Sequence, residues 1–247
     1  MDVRVANMKL KVIGSGSSGN CYLLDDGEHI LVLEAGMPFA EVKESIDYQT
    51  SKIVGVLSSH EHGDHRKYLH EYKEAGIKCL EGDAYIEHDY ELRYADGRYL
   101  MGGFVVHPFP VVHDVPCYGY VIDHDDMGRL VFVTDTEYVK YKFPGVNHIM
   151  VETNYAQDIL DENMNSGEIP KVLRDRIMKS HMSFDTAKKM IEANKSSELR
   201  NVIMCHLSSR NSDKKRFMDE MQEVAGSYCN VHVAKKGIEI DINRFPF

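Results

Sequence analysis

Four times along this chain a short run of aliphatic and β-branched residues ends on a histidine or an aspartate. The run at 53–57 leads into Ser58-Ser59-His60-Glu61-His62-Gly63-Asp64-His65, the run at 104–109 leads to His113, the run at 130–134 stops at Asp135, and the run at 202–206 closes on His206. Apolar runs of this length, bounded by turn residues, predict buried strands. The polar residues then gather at strand ends. Three imidazoles and two acids within residues 60–65 are hard to explain by packing, because a core satisfies few such groups and solvated loops seldom concentrate them. A metal explains them. His60 and His62, two apart in extended backbone, point the same way and can reach one ion, while Asp64 and His65, past the turn at Gly63, can serve a second. His113, Asp135 and His206 supply the further ligands that two ions need if the strand ends share one edge.

Further strands are predicted at 77–80, 118–122, 148–152, 231–234 and 238–242, and amphipathic helices at 39–46, 67–75, 83–94, 184–194 and 212–225. The mixture predicts an α/β protein with strands in two sheets and helices outside. Near the start, Gly14-Ser15-Gly16-Ser17-Ser18-Gly19 matches the dinucleotide fingerprint G-x-G-x-x-G, which has meaning only where a helix follows to receive the pyrophosphate. Here 20–24, a turn at 25–27 and 29–33 read as strand, turn, strand. The glycines therefore predict close approach between strands rather than nucleotide binding.

At 247 residues and 43% hydrophobic content, the chain can bury a large core, and nothing along it marks a boundary, so 1–247 is read as one domain. With no apolar leader and no run approaching the ~18 apolar residues of a membrane span, the expectation is a cytoplasmic protein without membrane attachment. Five scattered cysteines fit reduced thiols. A net charge of −10 argues against a general electrostatic grip on nucleic acid. Local basic patches remain at Lys140 and Lys142, at Lys171, Arg174, Arg176 and Lys179, at Lys188 and Lys189, and at Lys214, Lys215 and Arg216. Each reads either as a binding surface or as a solvated helix face.

Taken in order through His60–His65, His113, Asp135 and His206, the chain resembles the metallo-β-lactamase superfamily of dinuclear hydrolases. Within it, "GSGSSGN" at 14–20, "SSHEHGDH" at 58–65, "SHMS" at 180–183 and "HLS" at 206–208 resemble the YycJ-like single-domain branch. The layout is also similar to ribonuclease Z and to the cyclic phosphodiesterases of phosphonate metabolism. The resemblance implies a four-layer αβ/βα sandwich and a phosphodiesterase, with exonuclease action on nucleic acid as the implied role; a small-molecule phosphodiesterase for a cyclic or nucleotide substrate is the rival, and a thiolester or lactam hydrolase would leave His181 idle. It implies His60, His62 and His113 on one metal, Asp64, His65 and His206 on a second, and Asp135 bridging. Zinc suits these ligands and manganese is the alternative in a site without thiolate. Asp64 and Asp135 then belong to the catalytic set together with His181, whose implied task is to donate a proton or hydrogen bond at the phosphoryl or leaving oxygen; its other reading is a helix-cap neighbour of Ser183. Cys205 is read as core.

The strand 31–36, Leu-Val-Leu-Glu-Ala-Gly, carries Glu34 where the family has aspartate orienting a ligand histidine. Glu152, ending another strand, reads as a similar support or as a substrate-facing group beside Asn154. The 14–20 loop is expected beside the metals, with Ser15, Ser17, Ser18 and Asn20 lining the substrate entrance. Ser208 and Arg210 offer donors suited to a phosphate, or else cap the helix at 212–225. Homo-oligomerisation is left open by the sequence.

Overall fold

Residues 7–81 and 97–245 are described in a computed structural model. Strands β1 (Lys9–Gly14), β2 (Cys21–Asp25), β3 (Ile30–Leu33), β4 (Ile53–Ser58) and β5 (Cys79–Glu81) are followed by β6 (Tyr99–Met101), β7 (Phe104–Val111), β8 (Cys117–His124), β9 (Gly128–Val133), β10 (His148–Glu152), β11 (Asn201–Cys205), β12 (Asn230–Val233) and β13 (Glu239–Asp241). The helices are α1 (Phe39–Ser45), α2 (Gly63–Arg66), α3 (Leu69–Glu74), α4 (Gln157–Asn165), α5 (Lys171–Ser180), α6 (Phe184–Asn194) and α7 (Lys214–Ala225). Two mixed sheets result, ordered β13-β1-β2-β3-β4-β5 and β12-β11-β10-β9-β8-β7-β6.

Parallel neighbours need a crossover, and helices supply it. α1 lies between the parallel pair β3 and β4 in sequence, and α4, α5 and α6 between the parallel pair β10 and β11. Strands covered on both faces need no polar alternation. Accordingly β3, β10 and β11 are buried at every residue.

The described residues of 1–108, 121–129 and 235–247 form one compact unit, and those of 109–120 and 130–234 form another. In the first, Cys21, Leu23, Ile30 and Val32 pack with Phe39 and Val42 of α1 and with Leu69 and Tyr72 of α3. In the second, Phe184 of α6 stacks on Phe217 of α7 with ring centroids 3.9 Å apart, and Tyr155, Leu160 and Ile169 close a smaller core beneath α5.

The helix predicted at 83–94 lies outside the described residues. The single turn α2, the three-residue β6, and helices α4 and α5 were not anticipated. α4 buries only Leu160 among its own residues, and α5 leaves Val172 and Leu173 exposed, so each is mostly polar and little in its sequence marks a buried face. The glycine-rich loop joins β1 to β2, which pair antiparallel. No helix follows it, and its glycines meet neighbouring chain: a Cβ on Gly14 would lie 2.6 Å from the Gly19 carbonyl oxygen, and one on Gly19 2.5 Å from that of Gly36.

Candidate metal centre

In the first unit the donor group follows β4. Past Ser58 the chain bends at His60 and Glu61, and the carbonyl of His62, which is itself extended, receives the amides of His65 and Arg66 to begin α2. The predicted turn at Gly63 is therefore a helical turn, and it brings the rings together: His60 and His62 have centroids 4.7 Å apart, His60 and His65 4.3 Å. His60 and His65 are buried, and Asp64 Oδ2 lies 3.5 Å from His65 Nε2.

Three supports fix this segment. Glu34 sits at φ 66°, a left-handed conformation that a side chain rarely adopts and that marks stored strain. Its buried carboxylate receives the Ser59 amide at 3.3 Å and lies 3.7 Å from His65 Nδ1. Asn20 is 1% exposed; its amide N–H donates to the Asp64 carbonyl at 2.7 Å, its side-chain Nδ2 lies 3.2 Å from His65 Nε2, and its Oδ1 accepts from the Gly16 amide. Asn20 is thus a brace for residues 64–65 rather than a lining of the substrate entrance, whereas Ser17 and Ser18 are exposed on the loop. Gly36 is the third support, because a Cβ there would stand 1.8 Å from the Asp64 carbonyl oxygen. No other residue permits that approach.

In the second unit the donors come from the carboxyl ends of adjacent parallel strands, where open α/β sheets place their ligands. Glu152 ends β10 opposite Cys205 of β11, with His206 next, and Asp135 lies two residues past β9. Asp135 and His206 take left-handed conformations, φ 42° and 52°. Each turns its chain off the strand. His206 Nδ1 lies 2.7 Å from Asp135 Oδ1 and 3.1 Å from Glu152 Oε1. His181, between α5 and α6, meets the same Glu152 oxygen through Nδ1 at 2.6 Å. Glu152 Oε2 accepts the amides of Thr136 and Met182, so one carboxylate, with no exposure, ties three strand ends and the His181 turn together. Sequence reading found Glu152 as a candidate but not as this hub. His113 follows β7, held where the Val112 amide donates to Thr136 Oγ1; its ring lies 6.1 Å from that of His181, and its Nε2 3.1 Å from Asp114.

Burial alone would raise the Glu152 carboxyl, but the His181 charge beside it overrides this and holds it below the usual carboxylate range. Burial would likewise lower His181, and the Glu152 charge instead raises it.

The donor chemistry suits a divalent ion. Asp135, Glu152, His181 and His206 each offer an atom within 4.8 Å of the others, two acids and two imidazoles without thiolate, and residues 60–65 offer three imidazoles and the carboxylates of Glu61 and Asp64. Oxygen and imidazole donors of this kind fit zinc or manganese. Cys205 is buried, as is every cysteine of the chain.

Asn154 is 8% exposed; it donates through Nδ2 to the His206 carbonyl and through its amide to that of Met182, so it braces the site. Ser208 Oγ accepts the Asn211 amide in a local turn, Arg210 is exposed, and the cap of α7 is Asp213, outside the residues proposed for it. Arg174 is not a free cation: its guanidinium grips Asp161 Oδ1 at 2.7 and 2.9 Å and Asp175 at 3.1 Å. Lys188 and Arg216 are similarly paired with Glu220. Lys171, Arg176 and Lys179 stay exposed.

A fold of two helix-flanked mixed sheets, with histidine and carboxylate donors gathered at strand ends, defines a metal-dependent hydrolase of the αβ/βα class. Residues 14–183 match the metallo-beta-lactamase superfamily, and the chain belongs to it. It is 24% identical over 229 residues to the exodeoxyribonuclease YycJ of Bacillus anthracis, covering 84% of this chain and 85% of the relative. It is equally 24% identical over 232 residues to the exodeoxyribonuclease WalJ of Streptococcus pneumoniae, covering 83% and 84%. Among solved structures, the metallo-beta-lactamase fold protein YhfI from Bacillus subtilis aligns with TM-score 0.68 at 22% identity over 95% of this chain and 99% of that one. No helix among the described residues is long and apolar enough to cross a membrane.

Proposed function

We propose that the chain is a dinuclear phosphodiesterase that shortens nucleic acid from an end, the whole chain acting as one hydrolase domain. His60, His62 and His113 would hold one divalent ion, Asp64, His65 and His206 the other, with Asp135 between them, zinc preferred and manganese the alternative. When bound, the ions supply an activated water nucleophile and Lewis-acid polarisation of the phosphoryl oxygens.

The observation that carries this reading is the His181–Glu152 pair. With Nδ1 tied to Glu152, the tautomer and ring orientation are set, and Nε2 is the atom left to face a substrate. A histidine oriented in this way by a carboxylate suits a general acid. A sugar alkoxide leaving from phosphorus needs that proton. A thiolate leaving group does not, which places the thiolester reading lower. The relatives bearing the name exodeoxyribonuclease support a nucleic-acid end as the substrate.

The test is hydrolysis by the metal-loaded protein of end-labelled DNA, RNA and a generic phosphodiester. Reversing Lys171 and Lys179 to glutamate, with Arg174 left in place because it is paired with Asp161 of α4, should weaken DNA binding. Wild-type binding should fall steeply with salt, as counterion release requires. Salt-insensitive binding, or a double variant that binds DNA like wild type, would overturn the nucleic-acid reading. The acidic net charge then favours the small-molecule phosphodiesterase.

A further inference from the structure

We infer that a pocket along α5 receives the nucleotide unit next to the phosphodiester being cleaved, an assignment that rests on the phosphodiesterase reading above. The cavity, about 400 Å³, is lined by Asp114, Val172, Asp175, Arg176, Lys179 and Ser180. Its volume is at the small end of small-molecule sites and suits one nucleotide rather than a duplex.

Position is the first argument. Asp114 directly follows His113, and Lys179 and Ser180 directly precede His181, so two walls of the pocket continue into residues of the candidate centre. Asp114 Oδ1 lies 3.1 Å from His113 Nε2, and its other oxygen 3.8 Å from Arg176. A diester seated against His181 would therefore lay its neighbouring nucleotide along α5.

Surface chemistry is the second. Val172 is 82% exposed and Leu173 40%. A lone exposed valine needs no explanation, but this one lies in a concave wall beside two cations and offers a flat apolar contact for a base. Asp175 lies 3.1 Å from Arg174, a guanidinium it shares with Asp161. Arg176 lies beyond hydrogen-bonding distance of its nearest carboxylate, and Lys179 has no carboxylate partner among the described residues. In a chain of net charge −10, these two cations offset the pocket's own carboxylates, Asp114 and Asp175, and are the groups that would meet a phosphate. Apolar contact, cations for phosphate and the Asp114 carboxylate as acceptor for a base amino group together describe a nucleotide.

Binding of deoxyadenosine 5′-monophosphate, deoxyadenosine and inorganic phosphate to the metal-loaded protein, measured by calorimetry, tests this. The nucleotide should bind at least about tenfold more tightly than inorganic phosphate, and Val172→Asp should remove that advantage. Val172→Asp should keep the wild-type unfolding temperature because its side chain packs little, and Lys179→Ala should weaken the nucleotide without affecting deoxyadenosine. Equal nucleotide binding by wild type and Val172→Asp overturns the pocket, as does a wild type that shows no preference over phosphate. The two readings separate cleanly. If DNA is digested with the same KM by wild type and Val172→Asp, the pocket falls and the nuclease stands; if no nucleic acid is digested but the Val172-dependent preference holds, the pocket stands and the nuclease falls.

Discussion

His181 reaches Glu152 through Nδ1, so whatever it does for a substrate it does through Nε2. His181→Ala should therefore retain fold and bound metal while turnover of an unactivated diester drops by roughly two to four orders of magnitude, the range of a lost general acid. A nitrophenolate leaving group, which departs without a proton, should recover much of the loss; equal losses on both esters would contradict the acid role. At the other end of the same unit as Glu34, Asp26 shows how a buried acid reports on pH. Burial would raise its carboxyl, but the amides of His29 and Glu28 at 2.6 and 2.7 Å and the His29 ring hold it below its ordinary value. A depressed folded value contributes stability that is complete above the unfolded value of about 3.9 and is lost as pH falls through the folded one. Wild type should thus exceed Asp26→Asn in urea midpoint at pH 7, with the gap narrowing below about pH 4. A gap independent of pH would show that the side chain acts by packing alone.

Among the elements, α5 depends on few contacts. Ile177 and Met178 pack on the Tyr155–Leu160–Ile169 cluster, and Arg174 clamps the helix to Asp161 of α4. Solvent screens a pair of this kind, so the clamp steadies the helix locally and adds little to global stability. Arg174→Ala should raise amide exchange across Lys171–Ser180 by about fivefold at most, with the global unfolding midpoint nearly unmoved; unchanged exchange would remove the clamp. This same helix shows where sequence reading stops. β10 and α6 match the residues read for them, because a wholly buried strand and a helix burying Phe184, Ala187 and Ile191 write their periods plainly. α5 does not, since its apolar residues face two directions and its cations looked alike although Arg174 is structural. The positions of His60–His65, His113, Asp135 and His206 at strand ends were legible from the runs before them. The left-handed backbone at Glu34, Asp135 and His206 was not, as no glycine or asparagine marks it. Nor was the role of Asn20, which depends on a contact 44 residues away.

For the whole molecule, family membership joins a negatively charged chain to cations it must hold. His62→Ala and Asp135→Ala should each lose bound metal together with activity, as elemental analysis would show; full occupancy in both would contradict the ligand assignment. Metal removal from wild type should lower the unfolding temperature, since an ion bound only by the folded state stabilises it by an amount that rises with the logarithm of its affinity. The central claim is that this metal-dependent hydrolase cleaves phosphodiesters at nucleic-acid ends. It is tested most directly by incubating the zinc- or manganese-loaded protein with a single-stranded oligodeoxynucleotide carrying one terminal label, and following product lengths with and without a chelator. Progressive shortening from one end, abolished by the chelator, is expected; an oligonucleotide that stays intact while a small phosphodiester is turned over would rule out cleavage at nucleic-acid ends.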